Sequence, residues 1–155
     1  MKQDPTEFVD DHNQVVAYDG SPVTWRMSAQ AIIERNDSIL LIKDRRQNFF
    51  SSPGGALEVH EEIEEALQRE MLEEVGTPVK VGNLLFAYQD RFFHRGNKRF
   101  SESMIFFFQA DLDGELGVPQ DPNTVYARFI PYAELTAENL NRVVYEVLKN
   151  MGRIA

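Results

Sequence analysis

The chain has 155 residues, 43% of them hydrophobic and 11% aromatic, with no cysteine and a formal net charge of −9. That size and apolar content suit one folded domain with its own core and exclude a disordered chain. The missing cysteine excludes disulfides, thiolate catalysis and Cys-based zinc sites, and the acidity disfavours nucleic acid and anionic lipid as partners.

Residues 1–12 read as an N-terminal extension and 13–155 as a single domain. The opening MKQDPTEFVDDHNQ is acidic and polar, unlike a secretory signal. The longest apolar runs, such as MIFFF at 104–108, are too short to span a bilayer. A soluble, cytoplasmic protein with no membrane contact is expected. VVAYD and VTWRM flank an Asp19-Gly20-Ser21-Pro22 turn and suggest an opening hairpin. AQAIIERNDSILLIKD reads as strand, turn, strand, with the turn at Asn36-Asp37-Ser38. Arg45 to Pro53 reads as a loop, punctuated by Gly54-Gly55.

A helix is expected from about Glu61 to Val75, with acids at its start suiting the dipole and Gly76 its C-terminal stop. Two strands follow, VKVGNLLFAYQDRFF and RFSESMIFFFQADLD, joined by a basic loop from His94 to Lys98. Val125 to Ile130 is a short strand. The last helix is expected to begin near Thr136, with Leu140, Val143, Val144, Val147, Leu148 and Met151 forming one apolar stripe. Two helices among mixed strands suggest a sheet covered on both faces, an α/β class. Ile32, Leu40, Ile42, Leu85, Ile105 and Phe107 are core candidates from alternation.

The chemistry lies in the acidic helix. With ~100° per residue and Ile63 at zero, Ala66, Leu67, Met71 and Val75 share an arc. Glu70 and Glu74 fall inside that arc, and Glu73 lies at its edge. A solvated acidic face explains Glu62 and Glu65 but not carboxylates on a protected face, which must protonate, pair or bind a cation. Arg69 offers one positive charge against three. A hard divalent cation, Mg²⁺ or Mn²⁺, suits an all-oxygen site. Charge is also polarised along the chain. Glu58 to Glu74 carries eight acids and one arginine, and Arg91, Arg95, Lys98 and Arg99 form a basic run with no acid. That pattern suits a polyanionic ligand held between a metal and a basic loop, or else a solvated hairpin tip.

These residues resemble the Nudix hydrolase signature, G-x5-E-x7-R-E-U-x-E-E-x-G-U, where U is a bulky aliphatic residue. Gly55, Glu61, Arg69, Glu70, Met71, Glu73, Glu74 and Gly76 fall in place. Thr77 stands at the last aliphatic position. His60 stands where many members have glycine, so the loop backbone is in question if that position needs a positive φ. The resemblance implies an α/β/α sandwich with a mixed sheet. It also implies metal-dependent cleavage of a phosphoanhydride bond in a nucleoside diphosphate linked to another group: an ADP-ribose-like compound, a nucleoside triphosphate or a dinucleoside polyphosphate.

By the same resemblance Glu70, Glu73, Glu74 and the Gly54 carbonyl match metal ligands, Arg69 orients the glutamates, and Glu61 is structural. Glu73, Glu102 and Glu115 are candidates for the general base. Arg45, Arg46, Phe49 and Phe50 before the box, and Arg91, Arg95, Arg26, Tyr88, Phe93 and His94 elsewhere, are candidates for contacting a nucleotide-type small molecule. A homodimer is compatible with the resemblance. A noncatalytic module on the same fold, binding nucleotide or protein, is the alternative.

Overall fold

The computed structural model describes residues 4–155. Ten strands and two helices follow in order: β1 (Glu7–Asp10), β2 (Val15–Ala17), β3 (Val23–Ile32), β4 (Glu34–Arg35), β5 (Ser38–Asp44), β6 (Phe50–Ser51), β7 (Gly54–Ala56), α1 (Ile63–Glu74), β8 (Val79–His94), β9 (Arg99–Leu112), β10 (Thr124–Pro131) and α2 (Arg142–Asn150). A six-stranded sheet has the order β2-β1-β8-β9-β3-β7, and a four-stranded one the order β10-β5-β4 with β6 against β5. The larger sheet is mixed, because β3 runs parallel to β9 while β8 and β9 form a long antiparallel hairpin.

Alternation along β3 and β5 builds two cores. Ile32, Ile39 and Leu41 face one side with Ile105, Phe107 and Ile130, covered by Val143, Val144, Val147 and Leu148 of α2. Ala31, Ile33, Leu40 and Ile42 face the other, covered by Leu67, Met71 and Val75 from α1 and the residue after it. The period of two in the strands thus meets the helical period of each cover, which makes the α/β/α sandwich.

Several expectations need correcting. The segment expected as a loose extension is ordered where it is described, and its first three residues lie outside the described residues. Phe8, Val9 and Asp10 are buried, and β1 pairs with β2 on one side and with β8 on the other. The opening hairpin is therefore β1–β2. VTWRM belongs to β3, which pairs with β9 and β7 rather than with its sequence neighbour. The turn at Asn36-Asp37 holds, both residues having positive φ.

The cap of the last helix lies five residues late. Thr136 and Asn139 bond reciprocally in an isolated turn, and the cap is Asn141, whose side chain accepts from the Val143 and Val144 N–H groups. Leu85 is only partly buried, because the strand bulges on both sides of Leu84.

Candidate active site

α1 begins at the loop after β7, where the Glu65 carboxylate accepts from the Glu62 N–H and completes the first turn. Its end is fixed by Gly76, at φ 74, whose N–H returns to the carbonyls of Met71 and Leu72. Between these ends Ala66, Leu67, Met71 and Glu74 are buried. A carboxylate on the apolar face, as the wheel indicates, is thus a fact of the structure.

Arg69 organises the box. Its Nε and Nη2 bond the two Glu61 oxygens at 2.7 and 2.9 Å, Nη1 bonds Glu70 Oε1 at 2.9 Å, and Nη2 reaches the Ala56 carbonyl at 3.1 Å. The bidentate pair holds the Glu61 carboxyl down at about 2 and pushes the guanidinium up. Arg69 therefore clamps the loop onto the helix and orients Glu70 together. Glu73 lies 3.6 Å from the same guanidinium, half-exposed.

Glu74 is the unusual group. Only 8% of it is exposed, and its Oε1 accepts from the Gly54 N–H at 2.7 Å. Burial pushes its carboxyl well above the usual carboxylate range. The Gly54 N–H pulls it down, and the negative charges of Glu70, Asp121 and Asp44 add to the rise. Glu70 is raised as well, first by burial and against the pull of Arg69. Asp44 and Asp121 were not identified from sequence. Asp44 ends a strand whose middle, Ile39 to Ile42, is apolar, which is the one signal it offered. It is buried and held low, because Arg46 bonding at 2.7 to 2.9 Å more than offsets its desolvation.

A cleft of about 540 Å³ runs from this acidic end across the larger sheet. Gly54, Gly55, Glu74, Asp44 and Arg46 line one end, and Arg26, His94 and Arg95 line the other. Of the candidate contacts, the structure brings Arg46, Arg95, Arg26 and His94 to this cleft. Arg45 is exposed outside its walls, and Phe50 packs against the core under α2. Phe49 is buried, Tyr88 packs on the same core, and Phe93 stacks near Phe100. Arg91 pairs with Glu102 at 3.3 Å. Glu102 alternates with Ser101 and Ser103, which line the cleft, so it points to the opposite face of the sheet. Glu115 is exposed in the loop after β9.

A family model described as the NUDIX domain matches residues 24–151. The chain belongs to the Nudix hydrolase family. A stretch of 65 residues is 43% identical to an ADP-ribose pyrophosphatase of Methanocaldococcus jannaschii, covering 40% of this chain and 38% of that relative's length. A Nudix hydrolase structure from Nitrosomonas europaea aligns over 82% of this chain and 88% of its own, with a TM-score of 0.68 and 22% identity. A MutT protein from Bacillus halodurans aligns over 80% of each chain, with a TM-score of 0.62 and 28% identity.

The two departures of this Nudix box now have structural readings. His60 sits at φ 68, so the position does need the left-handed backbone that glycine adopts easily. Thr77 is buried, and its hydroxyl donates to the Glu115 carbonyl at 2.7 Å and accepts from the Gly117 N–H at 2.8 Å.

Among the described residues no three acidic or histidine side chains are gathered into a ready-made metal cluster. Glu70 and Glu74 are brought together, while Glu73 turns toward Arg69. The donor chemistry nonetheless fits a hard divalent cation. Glu74 is desolvated and feels the negative charges of Glu70, Asp121 and Asp44, while Arg46 is paired with Asp44 and Arg69 is already engaged by Glu61. The contact shown for Gly54 is through its N–H.

Proposed function

We propose that this Nudix protein is a divalent-metal-dependent pyrophosphohydrolase that cleaves a phosphoanhydride bond in a nucleoside diphosphate linked to another group. The observation that carries the proposal is Glu74, a buried carboxylate with one N–H donor and three acidic neighbours. Such a group is costly unless a cation joins it. Glu70 and Glu74 are proposed to hold Mg²⁺ or Mn²⁺, with Glu73 completing the set by rotating its half-exposed side chain. A divalent ion so held neutralises pyrophosphate charge and lowers the pKa of a water.

The residues of the chain supply the rest. Arg69 keeps Glu70 turned inward and ties the loop to α1. Gly55 lets the β7 backbone pass close to Glu70, and the missing side chain of Gly54 lets the same strand pass close to Ala29 and Gln30 of β3. Arg46 presents a mostly exposed guanidinium at the cleft, paired with Asp44 at 2.7 Å, where a phosphate oxygen could share it. Glu73 is the favoured base, because its charge acts on Glu70 at the acidic end, whereas Glu102 points to the opposite face of the sheet and Glu115 is exposed in the loop after β9. The 65-residue likeness to an ADP-ribose pyrophosphatase favours an ADP-ribose-like substrate over the other two classes.

The test is Glu74→Gln, studied with and without Mg²⁺. Without divalent ions the variant should melt at or above the parent temperature, because a buried unpaired charge is gone. With millimolar Mg²⁺ the parent should gain stability by mass action and the variant should not. Turnover on a panel of nucleotide sugars, nucleoside triphosphates and dinucleotides should fall by about 10²-fold or more. Unchanged Mg²⁺-dependent turnover would falsify the ligand role of Glu74. Tight binding of nucleotide with no hydrolysis by the parent would instead support the noncatalytic module.

A further inference from the structure

The end of the cleft away from Glu74 is of a different kind. Along β3, Arg26, Ser28 and Gln30 alternate onto the cleft floor, and Gln30 is in register with Gly54. Four residues of strand place Arg26 about 13 Å from Gln30. Around Arg26 stand Asp11, Phe92, His94, Ser101 and Ser103. The Arg26 guanidinium approaches His94 Nε2 at 3.4 Å, and Ser101 Oγ lies 3.1 Å from the same nitrogen. Burial, and then the charge of Arg26, hold the His94 ring below its ordinary value, which favours the neutral imidazole.

Charges at this end nearly cancel. Arg95 is paired with the buried Asp10, and Arg142 with Asp90. Asp11 and Arg26 remain, one of each sign and not bonded to one another. Asp11 Oδ1 is shut off from solvent and has no hydrogen-bond partner among the described residues. A carboxylate oxygen in that state costs free energy that a ligand N–H can recover, since the χ2 torsion of aspartate turns easily. Asp11 is held in place by its neighbour. The parallel register Val9↔Phe92 and Asp10↔Phe93 carries the chain to His94, and Asp10 anchors the turn through the His12 and Gln14 N–H groups at 2.8 Å.

We infer that this end is a nucleobase subsite in which Asp11 accepts from the base, Arg26 donates to it and Phe92 offers a ring face, so that the β1–β2 hairpin sets base preference. A neutral wall with one acceptor and one donor does not suit a second phosphate. It suits a flat group that shows N–H and acceptor atoms on one edge, and stacking on an aromatic ring is common for such groups. Asp11 lies before residue 24, where the family match begins, whereas Arg26 and Phe92 lie within it and outside the box. The inference rests on the proposal that the cleft takes a nucleotide.

The test is calorimetric binding of AMP, GMP, UMP, CMP and ribose 5-phosphate to the full chain and to Asp11→Asn, with Arg26→Gln as a second variant. The parent should prefer one base over the weakest by about tenfold or more and bind ribose 5-phosphate at least about tenfold more weakly than the best nucleotide. Asp11→Asn should shrink the preference to about threefold or reverse it, with a melting temperature at or above the parent's. Arg26→Gln should weaken the preferred nucleotide and leave ribose 5-phosphate as it was. Equal affinities for all bases, or ribose 5-phosphate binding as tightly as the nucleotides, overturns the inference even if hydrolysis is normal. Base-selective binding without any hydrolysis leaves the inference standing and removes the catalytic proposal.

Discussion

Gly55→Ala isolates one carboxylate. A Cβ at Gly55 would sit 2.5 Å from Glu70 Oε1, 2.7 Å from its Cδ and 3.1 Å from Oε2. Ordinary contact begins at 3.4 Å, so the carboxylate must retreat by 3.4 − 2.5 = 0.9 Å. Gly55 lacks a positive φ, unlike Gly54 at φ 142, so alanine strains no backbone there. Pushing Glu70 off its rotamer costs about 0.5–1.5 kcal/mol, and weakening its 2.9 Å bond to Arg69 about 1 kcal/mol more. Alanine returns about 0.4–1 kcal/mol by restricting the unfolded chain. The net loss of stability should be about 1 kcal/mol by urea denaturation, while a displacement near 1 Å at the reacting centre lowers turnover by about 10²-fold. Mn²⁺ affinity by electron paramagnetic resonance should fall alongside turnover. Adding Glu70→Gln should cost little more than Glu70→Gln alone, because both changes act on one group. Turnover of Gly55→Ala within threefold of the parent refutes the view that Gly55 exists to admit Glu70.

Three further outcomes are expected. Thr77→Val should cost about 1–3 kcal/mol in denaturant titration, since it leaves the Gly117 N–H and the Glu115 carbonyl unpaired; an unchanged midpoint would show that the hydroxyl contacts contribute nothing. His60→Gly should stabilise by about 0.5–1 kcal/mol, relief of a left-handed backbone outweighing glycine's entropy. A fall in melting temperature would contradict this.

Burial raises the Asp10 carboxyl, but the Gln14 and His12 N–H groups and Arg95 more than offset it, leaving it below the ordinary aspartate value. A depressed native pKa means the contribution is complete above about pH 4 and is lost as pH falls through the native value. Asp10→Asn should therefore be less stable at neutral pH and lose stability less steeply below pH 4. Parallel curves for the two proteins would remove Asp10 from the acid transition.

The acidic helix was legible because its apolar period, its acidic start and its glycine stop agree with one another. Two of its inward carboxylates, Glu70 and Glu74, are where the wheel places them. The acids that face Glu74 from elsewhere were not legible. Asp44 and Asp121 reach it only through strand pairing and loop docking, which no local period encodes. Non-local pairing also explains the misread hairpin, since a DGSP turn does not reveal which partner a strand takes. β1 was hidden by its charged surroundings, where only Phe8 and Val9 carry apolar side chains. The late start of α2 follows from Thr136 and Asn139 satisfying each other, which leaves capping to Asn141.

The segment after β9 has the composition of slack, yet it is fastened. The Gln120 and Asp121 N–H groups cap the Glu73 carbonyl at 2.7 and 2.8 Å, and a Cβ at Gly76 or Gly117 would strike the opposing backbone at 2.3 and 2.2 Å. An epitope tag spliced into 114–121 would pry this buckle from the end of α1 and dislodge Glu73 and Glu74 with it. Gly20, whose absent side chain faces nothing within 4 Å, is the safer place to graft one.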